Sequence, residues 1–378
     1  MISTPSFDIA TISGDGIGPE VIDPCIGLLE QVQASVGGFK LNFIDVPAGA
    51  GLYARTGDAY PEISKAAAKA ADAILLSALG LPDIRYPDGT EITPQIELRF
   101  QLGLYAGVRP VRPIPGLKGH LPLADPRAMD IDMVLVREST EGLFASYGKG
   151  TVEDDRIARD TMVITRNTCE RLFDFSFALA ASRGKGGGGG NVVCVDKANV
   201  FQSLAFFRKI FDERAENFPS IDTDHCYVDA MALNMVRHPW AYDVAVTENM
   251  FGDILSDLGA GLVGGMGMAP SADIGDNHGV FQPCHGSAPD IAGKGVANPT
   301  AMFLSAGMML DWLGTRHDNA ACRSGGALLR AAVDKAFEAG DLIPGELGGS
   351  ARTDDVTGSV LDALKDLAPA NKLSQAQT

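Results

Sequence analysis

The chain has 378 residues, 46% of which are hydrophobic, and its formal net charge is −17. This length and apolar content can bury a large core, and they favour two lobes over a single small domain. The negative charge excludes nucleic acid as a natural partner, because such a surface repels phosphate backbones, whereas a local cluster of arginines can still bind a small anion.

Targeting signals and metal-binding cysteine patterns are not found in the sequence. No apolar stretch reaches the roughly 20 residues that a membrane-spanning helix needs, so we expect no membrane partner. The N-terminal residues show neither a basic nor an apolar leader pattern. The six cysteines are scattered, without a Cys-x-x-Cys pair or a Cys/His ligand spacing. These features predict a reduced, cytoplasmic protein.

Strand and helix patterns alternate along the chain. The predicted strands are apolar runs at 7–12, 41–46, 73–78, 133–136, 192–195 and 243–246. The predicted helices are at 21–32, 63–71, 97–103, 167–183 and 203–217. This alternation predicts an α/β fold with a sheet buried on both faces. The glycine-rich stretch 183–191 is interpreted as a surface connection, and the polar stretch 369–378 as a frayed end.

The sequence GDGIG at 14–18 joins the first predicted strand to the first helix. A Rossmann dinucleotide site requires G-x-G-x-x-G and an acidic residue about 20 positions later. Here the third glycine comes one residue early, and the nearest candidate acid, Asp45, lies 27 residues beyond Gly18. A Rossmann site is therefore not expected. Two interpretations stay open, a sharp strand-to-helix turn or a turn that also faces a ligand.

Three arginines occupy positions suited to binding a carboxylate. Arg99 falls on a short predicted helix, Arg109 follows an extended apolar stretch, and Arg137 ends a strand. Strand ends meet at ligand crevices in α/β folds, and guanidinium groups bind carboxylates through paired hydrogen bonds. A single arginine of this kind more often forms a surface ion pair, so the set of three carries the prediction.

Asp253 and Asp257 are four residues apart on a predicted helix, so their carboxylates share one face. Such a pair suits Mg²⁺ or Mn²⁺, which prefer oxygen ligands. The alternative is two solvated carboxylates, but the uncharged, glycine-rich sequence that follows favours a buried surface and a metal. Lys197 and Asp229 each follow a predicted strand, and they are candidates for a base and a further acid.

Together these residues resemble the isopropylmalate/isocitrate dehydrogenase family of β-decarboxylating dehydrogenases. The matching stretches are GDGIGPEV at 14–21, LGLYAGVRPVR at 102–112, VRESTEG at 136–142, VDKANV at 195–200, TENMFGDILSD at 247–257, HGSAPDIAGKGVANPTAMFLSAGMML at 285–310 and GGSARTDDVTGSVL at 348–361. The resemblance implies a two-lobed α/β fold that is not Rossmann. One lobe would comprise 1–104 plus 264–378 and the other 105–263, with an intersubunit arm at about 138–165.

The resemblance also implies a site for NAD in a cleft built by several loops. The residues implied to contact it are Ile17, His285, Gly286, Asp290, Ile291 and Asn298. A carboxylate at Asp290 would accept hydrogen bonds from ribose hydroxyls and repel the 2′-phosphate of NADP. In the family that this chain resembles, members that use NADP have lysine and tyrosine at the positions that match Asp290 and Ile291. The resemblance therefore implies that NAD is the cofactor.

The implied substrate is a malate with a substituent on C3, and the implied reaction is its oxidative decarboxylation. Arg99, Arg109 and Arg137 would grip the carboxylate that leaves as CO₂. Asp253 and Asp257 would hold Mg²⁺ or Mn²⁺ together with Asp229 of the partner subunit. Lys197, also from the partner, would be the base acting on the C2 hydroxyl. A homodimer with shared active sites follows from these roles.

Two positions depart from the family pattern. Phe144 stands where the family has a tyrosine that donates a proton to the enol. Tyr147 is the predicted substitute if the loop bulges or the match is shifted locally, and otherwise water or Lys197 would supply the proton. Gln282 stands where the family usually has an acid near the adenosine site. Phe144 keeps open the alternative that the chain is a catalytically weak, ligand-binding or regulatory relative, although the complete set of arginines, lysine and aspartates argues against it.

Substrate specificity is expected to depend on the segment that leads to Arg99. In the family that this chain resembles, isopropylmalate enzymes have a pair of leucines in this segment, whereas isocitrate enzymes have a serine and an asparagine. This chain has Thr93, Gln95 and Ile96. The 3-isopropylmalate, tartrate/malate and isocitrate types all remain compatible with the sequence.

Overall fold

The computed structural model describes residues 4–184 and 190–368. It has the predicted α/β architecture, and every strand and helix predicted from the sequence is present, with ends that shift by a few residues. Residues 185–189, within the predicted surface connection, and the predicted frayed end at 369–378 lie outside the described residues.

Ten strands in the described part of the chain form one mixed sheet. In chain order they are β1 (Ser6–Gly14), β2 (Lys40–Asp45), β3 (Ala73–Ala78), β4 (Ala106–Val111), β5 (Met133–Glu138), β8 (Asn191–Asp196), β9 (Asp222–Tyr227), β10 (Val244–Thr247), β11 (Pro270–Ile274) and β12 (Gly279–Pro283). Their spatial order is β2-β1-β3-β12-β11-β4-β5-β10-β8-β9. Strand β11 is antiparallel to both neighbours and β4 to β5, while the other pairs are parallel.

Helices cover both faces of this sheet, as expected for apolar strands. They are α1 (Gly18–Val36), α2 (Ala50–Thr56), α3 (Glu62–Ala70), α4 (Pro94–Leu102), α5 (Arg166–Arg183), α6 (Gln202–Ala215), α7 (Val228–Arg237), α8 (Asn249–Leu262), α9 (Thr300–Arg316), α10 (Ala320–Phe337) and α11 (Thr353–Leu367). None of those in residues 4–184 and 190–368 combines the length and apolar character that crossing a lipid bilayer requires.

The sheet runs without a break through both predicted lobes. The five strands at one end come from 1–104 and 264–378, and the five at the other end come from 105–263. A separate hairpin, β6 (Thr151–Glu153) with β7 (Ile157–Arg159), lies inside the predicted arm, and all six of its residues are exposed. The division into lobes and the pairing of the arm with a second subunit stay predictions.

Candidate active site

One cavity of ≈ 190 Å³ collects eight of the seventeen predicted site residues. Strands β3, β4, β5, β11 and β12 and helices α4 and α8 contribute residues to its wall. Its charged lining residues are Arg99, Arg109, Arg137, Asp253 and Asp257. The three arginines and the two helical aspartates, which are far apart in sequence, therefore meet at one place.

A buried carboxylate that sequence reasoning missed fixes two of the arginines. Asp273 Oδ2 accepts from Arg99 Nε at 2.9 Å, and its Oδ1 accepts from Arg109 Nη2 at 2.8 Å. Burial favours protonation of Asp273, but Arg109 and Arg99 outweigh it and hold the pKa of this carboxyl below its usual range. The available signal was an acidic residue inside the apolar strand PSADI.

Arg137 is held by the start of α8. Its Nε and Nη2 donate to Asn249 Oδ1 at 3.0 and 2.6 Å, and its Nη1 pairs with Asp253. Burial, together with the charges of Arg99 and Arg109, lowers the pKa of Arg137 to about 10. Gly252 lets the helix come this close, because a Cβ there would lie 2.6 Å from the Arg137 Cβ.

The predicted metal ligands Asp253 and Asp257 lie one turn apart on α8 and line the cavity. The expectation that their surface is buried is wrong, since both are exposed in the single chain. Burial of part of its side chain and the charge of Asp253 raise the pKa of Asp257. Within residues 4–184 and 190–368, no three His, Cys, Asp or Glu side chains are arranged to hold a metal ion.

Lys197 and Asp229 do not line the arginine cavity of their own chain. They form an ion pair, with Lys197 Nζ 2.5 Å from Asp229 Oδ1, and this hydrogen bond lowers the pKa of Asp229. Lys197 follows β8, and Asp229 lies in the first turn of α7. Their action in the site of a partner subunit stays a prediction.

The glycine turn between β1 and α1 packs against the loop that begins at His285. Gly14 and Gly16 have φ of +71° and +57°, and a Cβ on Gly16 would lie 1.9 Å from Ser287 O. Ile17 N donates to that same oxygen at 2.8 Å, while the Ile17 side chain is only 4% exposed. Both the sharp turn and its contact with a second loop therefore require glycine here.

The remaining residues of the predicted NAD site lie along this loop. Asp290 is exposed, and Ile291 packs partly against the core. Asn298 Nδ2 donates to Glu346 Oε1 at 2.6 Å. Glu20, at the start of α1, accepts from Gly295 N at 3.1 Å and so ties the loop to the helix.

Three buried polar atoms without a hydrogen-bond partner belong to side chains that line the arginine cavity. They are Ser77 Oγ, Gln95 Oε1 and His285 Nε2. Burial lowers the pKa of His285, so its imidazole is neutral at physiological pH. Buried polar groups are nearly always paired in folded proteins, which indicates that a polar ligand or water completes this site.

The predicted specificity segment is divided between two pockets. Gln95 lines the arginine cavity, whereas Thr93 lines a neighbouring pocket together with Tyr147. Thr93 Oγ1 and the Tyr147 hydroxyl are 3.1 Å apart. Ile96, next to Gln95 on α4, is half-buried and lines neither pocket.

The two departures from the family pattern lie beside the arginines. The Phe144 ring centroid is 5.2 Å from Arg137 Cζ. Gln282 lies in the wall of the arginine cavity, which His285 and Gly286 of the predicted cofactor site also line, and it donates to Asp273 Oδ2 at 2.9 Å. The register of β12 pairs Gln282 with Ser271 of β11 and brings it near Asp273.

Comparisons with known proteins agree with the family resemblance. The sequence profile of the isocitrate/isopropylmalate dehydrogenase family matches residues 8–360. A 3-isopropylmalate/3-methylmalate dehydrogenase from Methanocaldococcus jannaschii is 44% identical, over 81% of this chain and 86% of its own. A homoisocitrate dehydrogenase from the same organism is 39% identical, over 94% and 97%. The crystal structure of a β-decarboxylating dehydrogenase from Thermococcus kodakarensis is 36% identical, with a TM-score of 0.77 over 95% of this chain and 96% of that one.

Proposed function

This chain belongs to the isocitrate/isopropylmalate dehydrogenase family, and we propose that it catalyses the NAD- and divalent-metal-dependent oxidative decarboxylation of a 3-substituted (R)-malate. That it is a decarboxylating dehydrogenase of this family follows from the relatives. The observation that carries the finer proposal is the convergence of three arginines and two helical aspartates on one cavity.

The arginines bind the carboxylate that is lost. Asp273 and Asn249 occupy some of their N–H groups, so the side chains are held in place before the substrate arrives. Fixed guanidinium groups orient a carboxylate with little loss of conformational entropy. The unpartnered Ser77 and Gln95 atoms supply further hydrogen-bonding capacity in the same wall.

The donor set fits a divalent cation of the Mg²⁺ or Mn²⁺ kind. Asp253 and Asp257 offer hard oxygen ligands from one helical face, and the third carboxylate would be Asp229 of the partner subunit. Such a cation, when bound, polarises the C2 oxygen of the substrate. The Arg137 contact keeps Asp253 beside the carboxylate-binding arginines, so the cation and the substrate carboxylate would be neighbours.

The loop beside the glycine turn fits a dinucleotide. A Cβ placed on Gly286 would meet no other atom within 4 Å, so the backbone there is open to a ligand, and the buried His285 Nε2 lacks a partner. Asp290 is exposed and free to meet ribose hydroxyls. NAD bound there would supply the acceptor for the hydride that leaves C2 of the substrate. The neutral His285 ring is suited to a hydrogen bond with an uncharged part of the ligand.

A homodimer with shared active sites supplies the base. Lys197 lies outside the cavity of its own chain, paired with Asp229. Several large apolar side chains near this pair are exposed in the single chain. Val200 and Phe201 follow Lys197 in the sequence, Leu233 and Val236 lie on α7, and Ile254 lies on α8. Their exposure in the single chain supports the proposal that a partner subunit covers the surface near Lys197 and Asp229. In the proposed dimer, Lys197 takes the proton of the C2 hydroxyl as the hydride leaves.

The substituent on C3 is best matched by a short alkyl group. Leu76, Ala78, Leu79 and Pro283 provide an apolar side to the cavity, opposite in character to the arginines. This lining supports the 3-isopropylmalate or 3-methylmalate type, the activity named for the relative that is 44% identical. Tartrate, malate and isocitrate are the competing substrates in the test.

The test is the formation of NADH by the purified protein. It is incubated with NAD, Mg²⁺ or Mn²⁺, and a panel of 3-isopropylmalate, 3-methylmalate, malate, tartrate and isocitrate. Arg109→Gln should abolish turnover, whereas Arg112→Gln, which removes only a half-exposed ion pair with Asp334, should leave it near the wild-type rate. No NADH with any of these substrates would favour the catalytically weak alternative.

A further inference from the structure

Glu138 is a buried carboxylate with no place in the reaction described above. It ends β5, directly after Arg137, and is 3% exposed. Its Oε1 accepts from Thr140 N and from Thr140 Oγ1, each at 2.6 Å, and its Oε2 accepts from Glu141 N at 2.6 Å. These bonds hold the backbone after β5 in a turn around the carboxylate, so the position of the carboxylate is fixed.

The turn around Glu138 packs against Asn249, the first residue of α8. Asn249 is fully buried, and its Nδ2 donates to Glu141 O at 3.1 Å and, more weakly, to Glu138 Oε2 at 3.5 Å. Gly142 allows this close approach, because its φ is +70° and a Cβ there would lie 3.1 Å from the Asn249 Cβ. The turn therefore presents two acceptors to the NH₂ group of Asn249.

The other end of the Asn249 amide faces Arg137. Asn249 Oδ1 accepts from Nε and Nη2 of Arg137 at 3.0 and 2.6 Å. An amide has one acceptor oxygen and one NH₂ donor group, so it satisfies all these partners in a single orientation. Turned over, it would set its NH₂ group against the guanidinium and its oxygen against the Glu138 carboxylate. Glu138 therefore favours the amide orientation that Arg137 requires.

Asn249 holds Arg137 without adding a negative charge. Arg137 also pairs with Asp253, which is a proposed metal ligand. A second carboxylate at position 249 would compete with a substrate carboxylate for the N–H groups of Arg137. The amide oxygen avoids this competition, and it remains a partner of Arg137 when Asp253 is engaged by a cation.

We infer that Glu138 is a positioning residue that orients the Asn249 amide, and that Asn249 in turn holds Arg137 in place for the substrate carboxylate. The inference rests on the proposed function, in which Arg137 binds that carboxylate. Neither Glu138 nor Asn249 lines the cavity, so both act through Arg137 and do not touch the substrate.

The test measures dicarboxylate binding without turnover. Isothermal titration calorimetry with succinate, in EDTA and without NAD, is carried out at about pH 8, above the pKa of Glu138. Asn249→Ala, which removes the acceptor of Arg137, should weaken succinate binding by about tenfold or more, because hydrogen bonds to charged groups are the stronger ones. Asn249→Asp keeps the shape of the side chain but adds a competing charge, and it should also weaken binding.

Glu138→Gln tests the step behind Asn249. It sets an NH₂ group among hydrogen-bond donors, so the Asn249 amide loses an acceptor that orients it, and succinate binding should weaken by about threefold or more. Because Glu138 acts through Asn249, adding Glu138→Gln to Asn249→Ala should weaken binding no further. The matched control, Asn319→Ala, removes the N-cap side chain of α10 outside the cavity, and it should keep the Kd within about twofold of the wild type.

Turnover separates positioning from a general loss of structure. With the best malate of the panel, Asn249→Ala and Glu138→Gln should each raise the KM for the malate. The KM for NAD should stay near that of the wild type, because the proposed NAD site lies along the loop that begins at His285. A merely structural role would raise both KM values together.

Three results would overturn the inference. One is succinate binding by Asn249→Ala that is as tight as that of the wild type. Another is an additive loss of affinity in the double variant, since Glu138 would then act independently of Asn249. The third is an equal rise of the KM values for the malate and for NAD. Failure of the proposed function is seen separately, as the absence of NADH from the wild type with every malate.

Discussion

The aromatic ring of Phe144 lies 5.2 Å from the guanidinium carbon of Arg137, in the range of a cation–π contact. Arg137 is one of the three arginines of the cavity, so Phe144 is close to the reacting carbons of the proposed substrate. A phenyl ring stabilises the guanidinium but has no proton to donate. The position at which the family resemblance implies a general acid therefore lacks one in this chain.

Phe144→Tyr is expected to raise kcat. A hydroxyl at this ring would supply the proton for the enol carbon, and general acid catalysis is worth roughly 10²–10⁴-fold in rate. Steady-state turnover with the best malate of the panel is the measurement, with Phe144→Leu as the control that adds no hydroxyl. An unchanged kcat in Phe144→Tyr would mean that water or Lys197 already protonates the enol, or that product release limits turnover.

Tyr147→Phe is expected to lower kcat by less than about twofold. The Tyr147 hydroxyl is 3.1 Å from Thr93 Oγ1 and lies in the pocket next to the arginine cavity, where no substrate carbon is expected. Loss of one exposed hydrogen bond has a small effect. The measurement is again steady-state turnover with the best malate of the panel. A fall in kcat of tenfold or more would identify Tyr147 as the proton donor that the sequence analysis predicts.

Cofactor preference is expected to follow Asp290. Asp290→Lys combined with Ile291→Tyr should shift the ratio of kcat/KM values from NAD towards NADP, because a lysine attracts the 2′-phosphate that the carboxylate repels. Asp290 is exposed, so the change should leave the melting temperature near that of the wild type. Equal kcat/KM values for NAD and NADP in the unmodified protein would refute the argument.

The sequence predicts β1, β2, β3, β5, β8 and β10 and the early helices because their patterns are regular, but it does not predict β11 and β12. Helix α9 was harder to foresee, since twelve of its seventeen residues are buried and its apolar residues therefore show no single face. The cluster of arginines was found from strand ends and family motifs. Asp273 was missed, because the need for a buried anion appears only when β4, β11 and α4 bring Arg99 and Arg109 together.

Shared active sites can be tested by mixing two inactive variants. Lys197→Met and Asp253→Asn should each abolish turnover, because each lacks one essential group. If Lys197 serves the cavity of its partner, a heterodimer of the two has one intact site, and random subunit exchange should recover about a quarter of the wild-type activity. Recovery should not occur between Arg137→Gln and Asp253→Asn, whose residues lie in the same cavity of one chain.

Stability is expected to fall with rising pH through the titration of Glu138. This side chain is 3% exposed, and burial raises its pKa to about 7, although it accepts hydrogen bonds from Thr140 N and Oγ1 and from Glu141 N. The folded protein therefore binds more protons than the unfolded chain between about pH 4.5 and pH 7. Over that window the free energy of unfolding should decrease with pH, by at most about 3 kcal/mol.

The measurement is denaturant unfolding of the wild type and of Glu138→Gln, which cannot titrate at this position, at about pH 5 and about pH 7.5. Other titrating groups affect both proteins alike, so the difference between their unfolding free energies isolates Glu138. The free energy of unfolding of the wild type should decrease relative to that of Glu138→Gln as the pH rises, because only the wild type must then bury a carboxylate. If the difference between the two unfolding free energies stays constant, or if the wild type becomes relatively more stable at the higher pH, the hydrogen bonds from Thr140 and Glu141 stabilise the ionised carboxylate. The burial of Glu138 then does not make the fold sensitive to pH.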